Sequence, residues 1–389
     1  MTVLVLNCGS SSVKYQLLDP AGGVRAAPAV RGQVDGIGTD VPDHDTALRT
    51  VADQVAGHLD GGPLVAVGHR VVHGGADLVR PQLVTDELLA EIDRLAVLAP
   101  LHNPANARGI RSARASFPGV PQVAVFDTAF HATIPPAHRV YAVPREWQER
   151  YGVRKYGFHG TSHAYVSRRA AAWLAENRGV DLHETRVVVL HLGNGASACA
   201  VLGGRSVDTS MGLTPLPGLV MGTRSGDVDP AVFGHLARVA GMGAEEVERA
   251  LNSASGMKGL CGDSDMRAVV ARAGVADEAA QLALEVYAHR IRHYLGAYAV
   301  TLGGLDAIAF TGGVGERSPE VRELVLAGLD GLGIVLDPAR NEAVDKDGRD
   351  PAPVTVEDSP VAALVVPTDE EQEIATQALS VVASGVADR

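Results

Sequence analysis

The chain has 389 residues, 46% hydrophobic and 21% charged, which is the composition of an ordinary globular protein and more length than one core usually organises. Its net charge of −12 argues against a protein that lives on nucleic acid, though a local cationic pocket for an anion remains compatible with it. Cys8, Cys199 and Cys261 lie far apart with no CxxC pair, so neither a disulfide framework nor a cysteine zinc site is expected.

The first elements are strand-like: the apolar run "TVLVLN", then "SVKYQLLD" as its hairpin partner. Between them stands NCGSSSVKY, with Asn7, three serines and Lys14 where a plain turn needs only one or two residues. That cluster suits an anion, and Lys14 is one of only four lysines among 34 basic residues. A helix follows over "DTALRTVADQVAGHL", with Asp43 or Asp45 as N-cap. "LVAVGHRVVHGG" reads as a strand ending in a Gly-Gly turn, and "TDELLAEIDRLAVLAPLHN" as a helix capped by Thr85. "PANARGIRSARASF" is a further helix, and "QVAVFDTAFH" a buried strand running into a polar end.

The pattern then restarts. "VVVLHLGNGASAC" repeats the order of "VLVLNCGSSSVKY", with Leu190 matching Leu6, His191 matching Asn7 and Gly193 matching Gly9. A third glycine turn follows the strand in "DAIAFTGGVGERS". Helical stretches fill "DEAAQLALEVYAHRIRHYLGAYAVTL", "SPEVRELVLAGLDGLG" and "DEEQEIATQALSVVASGV". Strands followed by crossover helices, twice, predict an α/β chain in two related lobes, with the cleft between them as the ligand site. The N-terminal apolar run is too short for a signal peptide, and no stretch is long and apolar enough to span a membrane, so a cytoplasmic protein is expected.

Three glycine turns after apolar strands point to phosphate binding through backbone N–H groups. Neither GxxxxGK[ST] nor a GxGxxG opening a helix is present, which excludes the P-loop and the dinucleotide fingerprint. Arg70 on a strand and Arg224 in a glycine-bracketed loop suit bidentate recognition of carboxylate or phosphate. His159 and His163 are four apart, but the glutamate of HExxH is missing, and Gly160 and Thr161 disfavour a regular helix start. The histidines therefore read as donors to an oxyanion rather than as zinc ligands. Asp127 serves either as a helix cap or as a carboxylate aimed into the site. Asp369, Glu370 and Glu371 either favour a helix N-terminus or hold Mg2+.

Together the motifs resemble the acetate kinase (acetokinase) family. They run in order from "LNCGSSSVKY" through "GHRVVHGG", "APLHNP", "VFDTAFH", "YGFHGTSH", "HLGNGAS", "DTSMGLTPLPGLVMGTRSGDVDP", "SGMKGLCGDSDMR" and "FTGGVGERS" to "VPTDEEQEIA". The resemblance implies two related lobes of the actin-like ATPase (ribonuclease H-like) type with an interlobe cleft. An acetate- and phosphate-side lobe would span 1–133, joined by a C-terminal helix over about 372–389, and a nucleotide-binding lobe 134–371. It implies reversible transfer between ATP plus acetate and ADP plus acetyl phosphate, with Mg2+ (Mn2+ as the alternative ion), no nucleic-acid or membrane partner, and a homodimer.

The resemblance also implies site residues. Asn7 and Glu370 match the metal site, and Ser10, Ser12 and Lys14 the phosphate-side cluster. Arg70 matches the arginine that binds the substrate carboxylate, and Val72, Leu101, Phe158 and Pro215 the pocket for its methyl group. Asp127, His159 and Arg224 join Arg70 as catalytic residues. Nucleotide contacts fall on His191, Leu192, Gly193, Asn194 and Gly195, on Asp265, Met266 and Arg267, and on Gly313, Val314, Gly315, Glu316 and Arg317. Two positions depart from the family pattern, Arg317 and Asp369, where asparagine is usual. The rival readings are a propionate or butyrate kinase of the same fold and an actin-like ATP-binding scaffold.

Overall fold

The computed structural model describes residues 1–19, 28–59 and 63–387, so residues 388–389 of the expected C-terminal helix lie outside it. The chain divides into two compact units. The first holds Met1–Ala132, Phe158–Ser162 and the segment from Asp369; the second holds Thr133–Gly157 and His163–Thr368.

The first unit carries strands β1 (Thr2–Cys8), β2 (Ser12–Leu18), β3 (Val30–Asp35), β4 (Leu64–Val71), β5 (Gln82–Leu83) and β6 (Gln122–Phe126). They lie in the order β3-β2-β1-β4-β6-β5, with β1/β4 and β4/β6 parallel and the other pairs antiparallel. Residues alternate between the two faces of β1. Leu4 and Leu6 pack with Val13, Leu17, Leu48 and Val51, the last two from helix His44–Ala56. Val3 and Val5 pack with Ile374, Ala375 and Ala378 of the C-terminal helix Glu370–Ala387. The run "VLVL" is apolar throughout because both faces are covered.

The second unit carries β7 (Arg186–Leu192), β8 (Ala196–Leu202), β9 (Arg205–Thr209), β10 (Ala307–Thr311), β11 (Ala352–Pro353) and β12 (Ala362–Val365). Their order is β9-β8-β7-β10-β12-β11, with β7/β10 and β10/β12 parallel and the rest antiparallel. Strand for strand this repeats the first sheet, so the internal similarity extends far beyond one hairpin. The first hairpin closes between Cys8 and Val13, the second between Leu192 and Ala196, one residue tighter.

The expected caps form. Asp43 accepts from Thr46 N and Thr85 from Leu88 N. Asp277, which the sequence reading did not single out, caps the long helix through Ala280 N. Helix Asp86–Arg94 is shorter than its apolar pattern and passes into a 3-10 turn over Leu95–Val97. Pro100 lies just beyond, and it disfavours helical backbone in the residue before it.

Two expectations are corrected. Gly312–Arg317 is a helix rather than an open turn. It is stapled from within: one Glu316 carboxylate oxygen accepts from Gly312 N, the Thr311 hydroxyl and Thr368 N. A regular helix also starts at Gly160 and runs to Arg178. Gly160 is there for close approach. Its N–H donates to the Asp127 carbonyl at 3.0 Å, and an added Cβ would stand 2.0 Å from that oxygen. Gly160→Ala is therefore expected to cost about 1–3 kcal/mol, read as a lower urea midpoint. An unchanged midpoint would contradict the close packing.

Candidate active site

In the first unit, Arg70 near the end of β4 and Asp127 just past β6 form a fork. Nε donates to Asp127 Oδ1 at 3.1 Å and Nη2 to Oδ2 at 2.6 Å. Asp127 is 1% exposed, and its own N–H is held by the Val71 carbonyl. The parallel pairing of β4 with β6 brings the two strand ends together. Glu370 Oε2 lies 4.0 Å from Arg70 Nε and accepts from the Thr161 hydroxyl at 3.0 Å. Sequence reasoning missed Thr161, although it stands inside the "FHGTSH" motif. Burial pushes the Asp127 carboxyl up and Arg70 opposes it. Burial also works against the Arg70 charge, but Asp127 and Glu370 outweigh it and hold the guanidinium above its ordinary value.

His159 precedes the helix at Gly160 with φ +56, one of two non-glycine residues with positive φ among the described residues. Such a conformation costs about 1–3 kcal/mol and concentrates at functional sites. Phe158 is buried, edge-on to His73 at 5.5 Å between ring centroids. Val72 is half-buried, and its N–H is held by Asn106 Oδ1, as His73 N is by Asn103 Oδ1. These two asparagines, on helix Asn103–Ser116, were also missed; "HNPAN" was their signal. Leu101 is 78% exposed.

Asn7, one residue before the end of β1, pairs with Lys14, which is exposed on β2. Ser10 sits in the hairpin turn and Ser12 opens β2, the turn being closed by Gly9 N donating to Ser12 O at 2.8 Å. Among the described residues no group of three or more His, Cys, Asp or Glu side chains is arranged to hold a metal ion. The oxygen donors Asn7 and Glu370 nevertheless suit Mg2+, a hard cation that keeps several waters. Burial, then Glu370 and Asp369, pushes the Glu371 carboxyl up, a like-charge strain that a cation would relieve. Asp369 itself caps the C-terminal helix through Gln372 N at 2.9 Å, which asparagine would do equally well. The departure at Asp369 thus keeps the cap.

In the second unit a cavity of about 1100 Å3 gathers three separate segments. Gly193 and Asn194 line it from the β7–β8 turn, Asp265, Met266 and Arg267 from a helix start, and Gly313, Val314, Glu316 and Arg317 from the short helix after β10. His191, Leu192, Gly195 and Gly315 do not line it. Leu192 is fully buried, and Gly315 packs on Phe310. Arg267 is paired to Asp265 at 2.7 Å, whereas Arg317 is exposed on the cavity wall.

Arg322 is another residue the sequence did not flag. It is 1% exposed and donates to the carbonyls of Gly315 and Glu316 and to Asn341, bracing the cavity helix. Burial brings its pKa down to about 10.

Arg224 also lies in the second unit. Its Nη1 donates to the Pro215 carbonyl at 2.9 Å, and burial lowers its pKa. No carboxylate among the described residues is within ion-pair distance, so its charge is uncommitted.

The comparisons with known proteins agree with one another. A profile of the acetokinase family matches residues 2–376. An acetate kinase of Clavibacter michiganensis is 53% identical, over 98% of this chain and 99% of that one. The crystal structure of Porphyromonas gingivalis acetate kinase superposes with TM-score 0.88 at 39% identity, over 98% of this chain and 99% of that one. A propionate kinase from Francisella tularensis superposes with TM-score 0.88 at 38% identity, over 97% and 99%. The fold is therefore the two-domain α/β architecture of the actin-like ATPases. With nearly its whole length matched, the chain belongs to the acetokinase family.

Proposed function

We infer that this protein is an acetate kinase, a phosphotransferase with a carboxylate acceptor that interconverts ATP plus acetate and ADP plus acetyl phosphate. The family match over residues 2–376, shared with relatives named acetate kinase, carries the reading. The propionate kinase likeness is the weaker one, at 38% identity.

Acetate and the nucleotide phosphates are both anions. Two unit charges 4 Å apart repel by about 4 kcal/mol at an effective dielectric of 20, and the site must offset this first. Asp127 occupies the Nε and Nη2 edge of Arg70, which leaves Nη1 to bind the acetate carboxylate. Acetate is already ionised near neutral pH, so no general base is needed, and Asp127 acts by orienting Arg70. Phosphoryl transfer asks mainly for positioning and charge stabilisation. Arg224 and His159 donate to the equatorial oxygens of the transferred group in a direct in-line displacement. Val72, Leu101 and Phe158 of the first unit and Pro215 of the second are the residues assigned to the methyl group. The second-unit cavity takes the nucleotide, so the nucleotide-binding domain is 134–371 apart from Phe158–Ser162 and residues 369–371, which join 1–133 and the C-terminal helix on the acetate side. Ser10, Ser12 and Lys14 face the phosphates.

Asn7 and Glu370 would hold Mg2+, which when bound neutralises phosphate charge. Mg2+ without nucleotide is then expected to raise the melting midpoint, with most of the rise lost in Glu370→Gln. An equal rise in that variant would exclude Glu370. Glu371 adds a pH signature. Its folded pKa lies above the unfolded one, so its stabilising contribution is present below the unfolded pKa and lost as pH rises through the folded one. Glu371→Gln should therefore be the more stable form above the carboxylate range and show no advantage below it.

A homodimer in the cytoplasm completes the reading, the oligomer being checked by light scattering. Among the described residues no helix is long and apolar enough to cross a membrane. The deciding assay traps acyl phosphate as its hydroxamate with Mg-ATP and acetate, propionate or butyrate. The expected result is the highest kcat/KM with acetate. Preference for a longer acid would move the acceptor, and no product from folded, ATP-binding protein would overturn the kinase.

A further inference from the structure

Arg224 sits on a loop with glycines at 218, 222 and 226, a backbone with much conformational freedom to lose. Gly218 has φ +100 and Gly226 φ +70, and a Cβ on Gly226 would stand 2.6 Å from the Gly218 and Leu219 carbonyl oxygens. The middle of the loop is held by backbone bonds, Ser225 N donating to Leu251 O at 3.0 Å and Ser255 N to Thr223 O at 3.1 Å, and its base is closed by a side chain. Asp227 Oδ1 accepts from Gly218 N at 2.8 Å, and Asp227 N donates to Gly218 O at 3.2 Å. Its second oxygen leaves the loop altogether. Oδ2 accepts from Arg290 Nη1 at 3.0 Å and from the Tyr294 hydroxyl at 2.7 Å. Those two residues stand one turn apart on the long helix Glu278–Leu302. Burial, then the bond to Asp227, holds the Tyr294 hydroxyl above its ordinary pKa, so it stays a donor.

Asp227 is thus both the clasp of the loop and its pin to a rigid helix. Arg224 needs such a mount. Among the described residues its guanidinium donates to the Pro215 carbonyl and Met221 Sδ, neither of which fixes a charged fork firmly. A transition-state donor displaced by about 1 Å loses on the order of a hundredfold in rate.

We propose that Asp227, anchored by Arg290 and Tyr294, is the positioning residue that sets Arg224 for phosphoryl transfer. The proposal rests on the reading of Arg224 as a transition-state donor. Asp227 touches no substrate in this scheme; it acts through the loop.

The test is a cycle of kcat and KM on the full chain with Mg-ATP and acetate. Asp227→Asn keeps an oxygen for Gly218 N but loses the charge that Arg290 and Tyr294 grip. It is expected to lower kcat by about tenfold to a hundredfold, with both KM values little changed. Tyr294→Phe removes one hydroxyl and is expected to lower kcat less, with the melting midpoint of the parent. In an Arg224→Ala background neither change should lower kcat further, a masking that a merely structural role would not produce. An equal fold-loss with and without Arg224, or no loss in either variant, overturns the positioning role while leaving Arg224 in place. Full kcat in Arg224→Ala alone overturns the reading of Arg224, and the proposal with it. Should Asp227→Asn fail to fold, Tyr294→Phe in the two backgrounds decides in the same way.

Discussion

Replacing Arg224 by alanine is expected to lower kcat by about 10²–10³, or about 2.7–4 kcal/mol of transition-state stabilisation, with a smaller change in KM for ATP. The reason is the state of its charge. The guanidinium is half-buried, has no carboxylate among the described residues within ion-pair distance and donates to a backbone carbonyl, so its charge is available to an incoming anion. Burial of an uncommitted cation has a cost in stability, and removing it relieves that cost. The melting midpoint of Arg224→Ala should therefore equal or exceed that of the parent while activity falls, the usual trade between stability and function. Near-normal kcat would remove Arg224 from the mechanism. A large drop in midpoint would show that the side chain is a structural prop.

Arg70→Ala should behave in the opposite way. Here the charge is committed, through two hydrogen bonds to a carboxylate that is 1% exposed. Truncation strands Asp127 as a buried, uncompensated anion, and breaking a buried pair costs about 3–5 kcal/mol. Arg70 itself is 22% exposed, so the lower end, about 3 kcal/mol, is expected here. KM for acetate should rise as well, because the Nη1 donors are gone.

The two effects separate in Arg70→Ala with Asp127→Asn. The neutral amide removes the stranded charge, so stability returns in large part while KM for acetate stays high. The pH dependence carries the same information. Without Arg70 the folded-state pKa of Asp127 rises further above its unfolded value. Stability is then present below the unfolded pKa and lost as pH climbs toward the folded one. Arg70→Ala should accordingly lose more stability above the carboxylate range than within it, and the double variant should not. If the single variant melts like the parent at every pH, the pair is not a stabilising element.

The sequence by itself determined what local signals carry. Alternation and apolar runs located β1, β2, β7 and β8, and the caps Asp43 and Thr85 were legible because capping acts over three residues. The dense order of motifs identified the family, and the matched hairpins at Leu6 and Leu190 hinted at an internal repeat. Tertiary structure decided the rest. The helix at Gly312–Arg317 and the helix start at Gly160 run against glycine's weak helix propensity, and each is held by distant groups: Thr368 N on the Glu316 carboxylate, and the Asp127 carbonyl on Gly160 N. The fork between Arg70 and Asp127, the clasp at Asp227 and the brace from Arg322 join residues whose separation no periodicity encodes. Such contacts form only once sheet pairing has met the entropy cost of closing the intervening chain, so they belong to the fold rather than to any local stretch.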